Sequence, residues 1–320
     1  MSTIDVGLDP ASLKTICHIP RAGYTDLTWY DDGRLYFLLG GPGNLMYAGH
    51  GVYAVDPEAS SPEYKHVAFG EDYDAVGISK TSNGEIVVRL EHGLESRIAL
   101  LSGKMLYRRQ EELEAFDVRI YSDEDDIDGL RAVVAVATSN LNNPAEVYTT
   151  NAAHGSPAGA NDTMIKLSNH GHRFTNHTFG TCTILSVPSN DGAATIDAMY
   201  LSPPTSSPQP LPTVTLIHGG PNTRLAPSFI PFYYHWSAAL LSHNYAVLLP
   251  NYRGSSGRGR AYAAWSHDHP TEHAYADVLA CKLRRDGRTR RPVSSGNRRI
   301  QPRRDADAVG GCDERAAEGG

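Results

Sequence analysis

The sequence lacks a long apolar run. Nothing in its 320 residues approaches the ~18–20 consecutive apolar residues of a membrane-spanning helix, so no membrane partner is expected. It also lacks a basic n-region and an apolar h-region at its start, MSTIDVGLDPASLKT, so no signal peptide is read there. That absence implies a cytoplasmic location, or secretion if the true N-terminus is missing. Positive charge is short: 29 Lys and Arg stand against 36 Asp and Glu, a net −7. A nucleic-acid partner would want a basic face, and none is favoured. Cysteine is scarce. Cys17, Cys182, Cys281 and Cys312 are scattered, without metal-ligand spacing, and are expected to be free thiols in a reducing compartment. The sequons at Asn161 and Asn176 mean little without a secretory route. No residue pattern calls for a cofactor or a metal, and nothing fixes the oligomeric state.

What is present is a series of short β-hairpin signals from about residue 20 to 185. "DLTWYDDGRLYFLLG" reads as two strands around Asp31-Asp32-Gly33. "DAVGISKTSNGEIVVRL" repeats this around Ser82-Asn83-Gly84, and "RIALLSGKMLYRR" around Ser102-Gly103. "LRAVVAVATS" and "AEVYTTNA" read as further strands. Glycine after Asp or Asn supplies the positive φ a tight hairpin needs. Regularly spaced strands with such turns suggest a sandwich or a propeller, the latter at ~40–50 residues per blade.

The pattern changes around the Pro/Ser-rich "SPPTSSPQPLP" (202–212). "ATIDAMYLSPP" makes a strand before it, and "TVTLI" reads after it as a strand buried on both faces. "FIPFYYHWSAALLSHN" (229–244) has helical spacing at Trp236, Leu240 and Leu241, and "YAVLLPNYRG" (245–254) is a second buried strand. Strand, helix, strand is one βαβ unit of a parallel sheet. "EHAYADVLACKL" (272–283) opens another helix. From Cys281 the character breaks: residues 281–320 carry ten arginines and one lysine against six acids, with few aliphatic residues and no period. The favoured reading is an out-of-frame tail; a disordered basic arm and an ordinary disordered terminus are the alternatives.

Two loops carry the chemistry. His218-Gly219-Gly220-Pro221 follows the first buried strand, and two glycines there leave backbone N–H groups uncovered. Such a loop either is a tight strand-to-helix turn or supplies an oxyanion-hole donor. "LLPNYRGSSGRGRAY" (248–262) follows the next strand. Together, H-G-G-P and P-N-Y-R-G-S-x-G-x-G-x-x-Y, about thirty residues apart, resemble the catalytic domain of the prolyl oligopeptidase family of serine peptidases. The resemblance is to its dipeptidyl-peptidase V and acylaminoacyl-peptidase branch, and covers roughly residues 20–280. "ATSNLNNPAEVYTT" is similar to the last-blade segment of those proteins.

The resemblance implies a partial β-propeller over 1–185 and the first part of an α/β-hydrolase domain over 186–281; by its composition the remainder, 282–320, is the disordered, out-of-frame tail. It implies serine-type hydrolysis of short peptides. It implies oxyanion-loop donors at Gly219 and Gly220, loop support from His218, a packing role for Tyr252 and a structural tie at Arg253. The nucleophile needs a G-x-S-x-G elbow, yet no serine here has glycine at both −2 and +2; Ser256 has Gly254 before it but Arg258 after. No catalytic residue is therefore assigned, and the chain is expected to be inactive. A non-catalytic binding module and an esterase or lipase of the same fold are the rival readings. The histidine groups His267, His269, His273 and His170, His172, His177 match no metal signature and are expected at the surface. The acidic stretch 122–129 lacks a calcium-loop pattern and reads as a solvated hairpin tip.

Overall fold

The computed structural model describes residues 2–3, 14–17, 26–40, 49–122, 130–152, 164–204, 211–220, 222–229, 236–266 and 271–285. The tail beyond 285, residues 123–129, Pro221, His267, His269, Asn161 and Cys312 lie outside the described residues. Strands β1 (Ser2–Thr3) and β2 (Lys14–Thr15) form a small antiparallel pair. Three four-stranded antiparallel meanders follow in chain order. The first comprises β3 (Leu27–Trp29), β4 (Leu35–Leu39), β5 (Gly51–Val55) and β6 (Tyr64–Ala68). The second comprises β7 (Asp74–Lys80), β8 (Ile86–His92), β9 (Glu95–Leu100) and β10 (Met105–Arg109). The third comprises β11 (Glu112–Ser122), β12 (Leu130–Asn140), β13 (Asn143–Ala152) and β14 (Ile165–Lys166).

Each expected hairpin turn is found, with Gly33, Gly84 and Gly103 at φ of 81°, 92° and 93°. Each pair of neighbouring meanders shares a core. Tyr36, Leu38 and Val52 of the first pack on Ile86, Val88 and Leu90 of the second. Ile98, Leu106 and Tyr107 of the second pack on Leu113, Val134 and Val136 of the third. Among the described residues, three such sheets are fewer than the ~4–8 blades of a closed propeller.

A mixed sheet completes the fold. It contains β15 (Thr181–Pro188), β16 (Thr195–Ser202), β17 (Thr213–Thr215) and β18 (Ala246–Asn251), in the spatial order β15-β16-β18-β17. β17 and β18 are parallel and are joined through helix α1 (Trp236–Ser242), the crossover expected from the sequence. The other pairs are antiparallel. Two further helices follow, α2 (Gly259–Ala263) and α3 (Glu272–Arg285).

β18 is apolar from Ala246 to Pro250 because both its faces are covered. Val247 and Leu249 pack toward Leu241 of α1; Leu248, between them, packs toward Ala280 and Cys281 of α3. Successive side chains of a strand point to opposite faces, so both must be apolar. β17 departs from the expectation. It is three residues long and only half-buried, and Ile217 beyond it is exposed. Among the described residues it has one neighbour, β18, and an edge strand cannot be enclosed as a central one is. Trp236, placed by its spacing on the apolar face of α1, is also exposed, while Leu241 is buried. Among the described residues no helix is long and apolar enough to cross a membrane.

Candidate functional site

The two parallel strands end at the same edge of the sheet, and each is followed by a glycine-bearing loop. His218, Gly219 and Gly220 follow β17; Tyr252 through Gly259 follow β18. Ligands of open α/β sheets bind beyond the carboxyl ends of the strands.

His218 is buried and sits flat against Tyr252, ring centroids 4.6 Å apart and planes 17° from parallel. The Tyr252 hydroxyl donates to the His218 carbonyl, closing one loop onto the other. His218 Nδ1 lies 2.9 Å from the Gly219 carbonyl, which can only accept, so Nδ1 carries the proton. Burial lowers the pKa of the ring, favouring the neutral form. Its Nε2 meets Ser255 Oγ at 3.1 Å. This serine–histidine contact is not a catalytic dyad. Ser255 is wholly buried, its hydroxyl also meets the Tyr252 carbonyl at 2.6 Å, and Nδ1 faces a carbonyl where a triad needs an orienting carboxylate.

Gly219 and Gly220, by contrast, are exposed. A Cβ on Gly219 would meet nothing within 4 Å. Gly220 adopts φ of +140°, and a Cβ there would lie 2.8 Å from Thr223 Oγ1. Thr223 Oγ1 donates to the Gly219 carbonyl at 2.8 Å, which fixes the turn. Among the described residues no acceptor meets either glycine N–H.

Arg253 is an anchor. Its backbone N–H and its Nε donate to Asp277 Oδ2 at 3.0 and 2.9 Å, and Nη2 donates to Asp277 Oδ1 at 2.8 Å. Nη1 donates to Asp191 Oδ2 at 2.7 Å, and the guanidinium lies 4.5 Å from the centroid of the Trp265 ring. Burial would raise the Asp191 carboxyl, but Ser189 and Arg253 hold it well below the usual carboxylate range. Asn251, the last residue of β18, receives the Leu225 N–H on Oδ1 at 2.9 Å and returns Nδ2 to the Leu225 carbonyl at 2.8 Å.

Sequence reasoning named His218, Tyr252 and Arg253 but missed Asn251, Ser255, Asp191 and Asp277. Asp277 lies on α3, 24 residues on, and only its charge inside an apolar helical stretch could have flagged it. Of the histidine groups, His273 packs edge-on to Trp265, and His170, His172 and His177 are exposed. Among the described residues no group of three or more His, Cys, Asp or Glu could hold a metal.

The meanders grip both loops from the other side. Residues 222–229 run as a strap across them. Arg224 reaches Glu91 at 3.2 Å, the Gly93 carbonyl at 3.3 Å and Ser96 Oγ at 2.9 Å. The Phe229 ring sits 5.2 Å from both Phe174 and Phe179. Asp74 of β7, buried to 1 % exposure, accepts the N–H groups of Gly257 and Gly259 on Oδ2, leaving Oδ1 without a partner. Burial and the neighbouring Glu91 push its pKa up to about 6 against the pull of those N–H donors. Ser256 donates to Glu91.

No family model matches the chain, and none of the curated proteins searched matches its sequence. Solved structures do match. The uncomplexed acylaminoacyl peptidase of Pyrococcus horikoshii superposes over 83% of this chain at a TM-score of 0.60 and 19% identity. An acylaminoacyl peptidase in complex with Z-Gly-Gly-Phe-chloromethyl ketone superposes over the same share at 0.61 and 18%. The chain shares the fold of these peptidases. It is similar, too, to a puromycin-hydrolyzing peptidase of Mycobacterium tuberculosis, with a TM-score of 0.54, 17% identity and 82% of this chain covered. The chain spans 39% of the length of the acylaminoacyl peptidases and 38% of the puromycin-hydrolyzing peptidase.

Proposed function

We propose that the chain is part of a serine-type peptidase of the prolyl oligopeptidase family, acting on short peptides. In this reading the three meanders are propeller blades, and residues 186–281 are the first part of the peptidase domain. The observation that carries it is the pair of loops at the carboxyl ends of β17 and β18, locked to each other through His218, Tyr252 and Ser255. Gly219 and Gly220 present their N–H groups where an oxyanion would form. His218 and Tyr252 keep the loop in that shape, and Arg253 ties the second loop to α3. A donor pre-aimed at the developing negative charge is worth about 10²–10³ in rate.

The 320-residue polypeptide itself is proposed to be inactive, because it has no elbow serine. Loss of triad residues costs roughly 10⁴–10⁶ in rate. The test is to sequence the transcript across the codons for Ala280 and Cys281 and to express both the present chain and any product of another frame. The expected result is a downstream G-x-S-x-G elbow followed by Asp and His, with fluorophosphonate labelling and peptide cleavage only in that longer product. Labelling of the present chain would overturn its inactivity. A longer product that cleaves acyl esters but never peptide amides would overturn the peptidase reading in favour of an esterase.

A further inference from the structure

A cavity of about 420 Å³ lies at the seam between the second meander and the mixed sheet, apart from the Gly219–Gly220 loop. Its volume falls in the range of small-molecule sites, roughly 300–1,000 Å³. Tyr73 and His92 line it side by side, ring centroids 5.0 Å apart. Both are backed by Arg97, which is itself buried and paired with Glu95. Arg97 Nη1 donates to the Tyr73 hydroxyl oxygen at 3.1 Å, and Nη2 lies 2.9 Å from His92 Nδ1. A guanidinium has no acceptor to offer. His92 Nδ1 must therefore be the acceptor, which puts the ring's proton on Nε2, and the Tyr73 hydroxyl keeps its own proton for another partner. Burial and the positive charge of Arg97 lower the pKa of the His92 ring, favouring its neutral form. Among the described residues no acceptor takes either proton.

Arg258 adds a third donor to the lining. Its Nε and Nη2 are held by Asp197 at 2.8 and 2.6 Å. Glu71 and Asp72, both exposed, supply negative charge to the same lining, and Trp265 supplies an aromatic surface. The cavity thus has a donor pole, an acidic pole and an apolar wall.

We infer that this cavity binds a free amino acid with an apolar side chain. The carboxylate meets Tyr73, His92 and Arg258; the ammonium meets Glu71 and Asp72; the side chain lies against Trp265. The acidic pole disfavours a plain anion, and the donor pole disfavours a plain amine. This does not rest on the peptidase reading.

The test is calorimetric titration of the full chain with L-leucine, L-leucinamide, N-acetyl-L-leucine and orthophosphate. Leucine is expected to saturate below about 20 mM, a weak but specific affinity. Leucinamide and N-acetyl-leucine are each expected to bind at least ~10-fold more weakly, since each loses one charge-assisted pole. Tyr73→Phe keeps the ring and removes one donor, and is expected to weaken leucine about 5–10-fold. Asp72→Asn, at an exposed position that leaves the fold intact, is expected to weaken leucine but not N-acetyl-leucine. No saturation by leucine, equal binding of leucine and leucinamide, or equal binding of orthophosphate would each overturn the inference.

Discussion

Removing the Asp277 carboxylate would leave the Arg253 guanidinium buried, with only the half-exposed Asp191 beside it. Breaking a buried pair from one side costs about 3–5 kcal/mol, because the surviving charge is uncompensated. Asp277→Ala is therefore expected to destabilise the chain by that much in denaturant unfolding, and Asp191→Ala by clearly less. Gly220 is constrained differently. Its φ of +140° suits only glycine, and a Cβ would press on Thr223. Gly220→Ala is expected to cost about 1–3 kcal/mol and to reshape the turn, read as altered amide shifts at Gly219 and Thr223 with the rest of the spectrum kept. At this scale the sequence was informative about glycines and silent about partners. Two adjacent glycines announce a bare backbone; nothing adjacent to Arg253 announces a carboxylate 24 residues away.

Among the elements, the hairpins of the first two meanders were readable because their turns are local: Asp-Gly, Asn-Gly and Ser-Gly set the reversal without help from the rest of the chain. β18 was readable because burial on both faces demands an unbroken apolar run. β17 was misread for the same reason, since "TVTLI" has the composition of a central strand while the fold leaves it at an edge. The third meander depends on pairing across long strands, and β11 carries charges at Glu112, Glu114, Asp117 and Arg119 that obscure alternation. The glycine-rich loop after β18 belongs to this scale as well. A Cβ on Gly259 would fall 1.7 Å from the Glu71 carbonyl, and its φ is +74°. Gly259→Ala is expected to part the loop from the second meander, seen as faster amide exchange at Gly257 and Gly259 and new protease cleavage near 257–260.

For the molecule as a whole, buried and half-buried titratable groups set the pH dependence. Burial lowers the pKa of His50, His92 and His218, so the folded chain resists protons the unfolded chain takes up. Stability is then lost as pH falls below about 6.5, the ordinary value for histidine. Asp74 works the other way. Its folded pKa of about 6 exceeds the ordinary carboxylate value of 3.8, so the folded chain binds the proton more tightly and gains stability as pH falls through that window. Asp74→Asn removes this gain. It is expected to be more stable than the parent at pH 7.5, by on the order of 2 kcal/mol, and to lose stability more steeply toward pH 5. Thermal unfolding across pH 5–8 checks both, and a parallel pair of curves would refute the assignment to Asp74.

Taken alone, the sequence determined the local events: turns where glycine follows Asp, Asn or Ser, a doubly covered strand where apolar residues run unbroken, and two loops whose glycines bare the backbone. These follow from short-range sterics and from which faces must leave water. The tertiary structure decided everything that depends on separation in the chain. It made β17 an edge strand, seated Arg253 on Asp277, and set Asp74 against a loop more than 180 residues later. A hydrogen bond or an ion pair is a matter of ångströms in space, and only the closed fold fixes those distances.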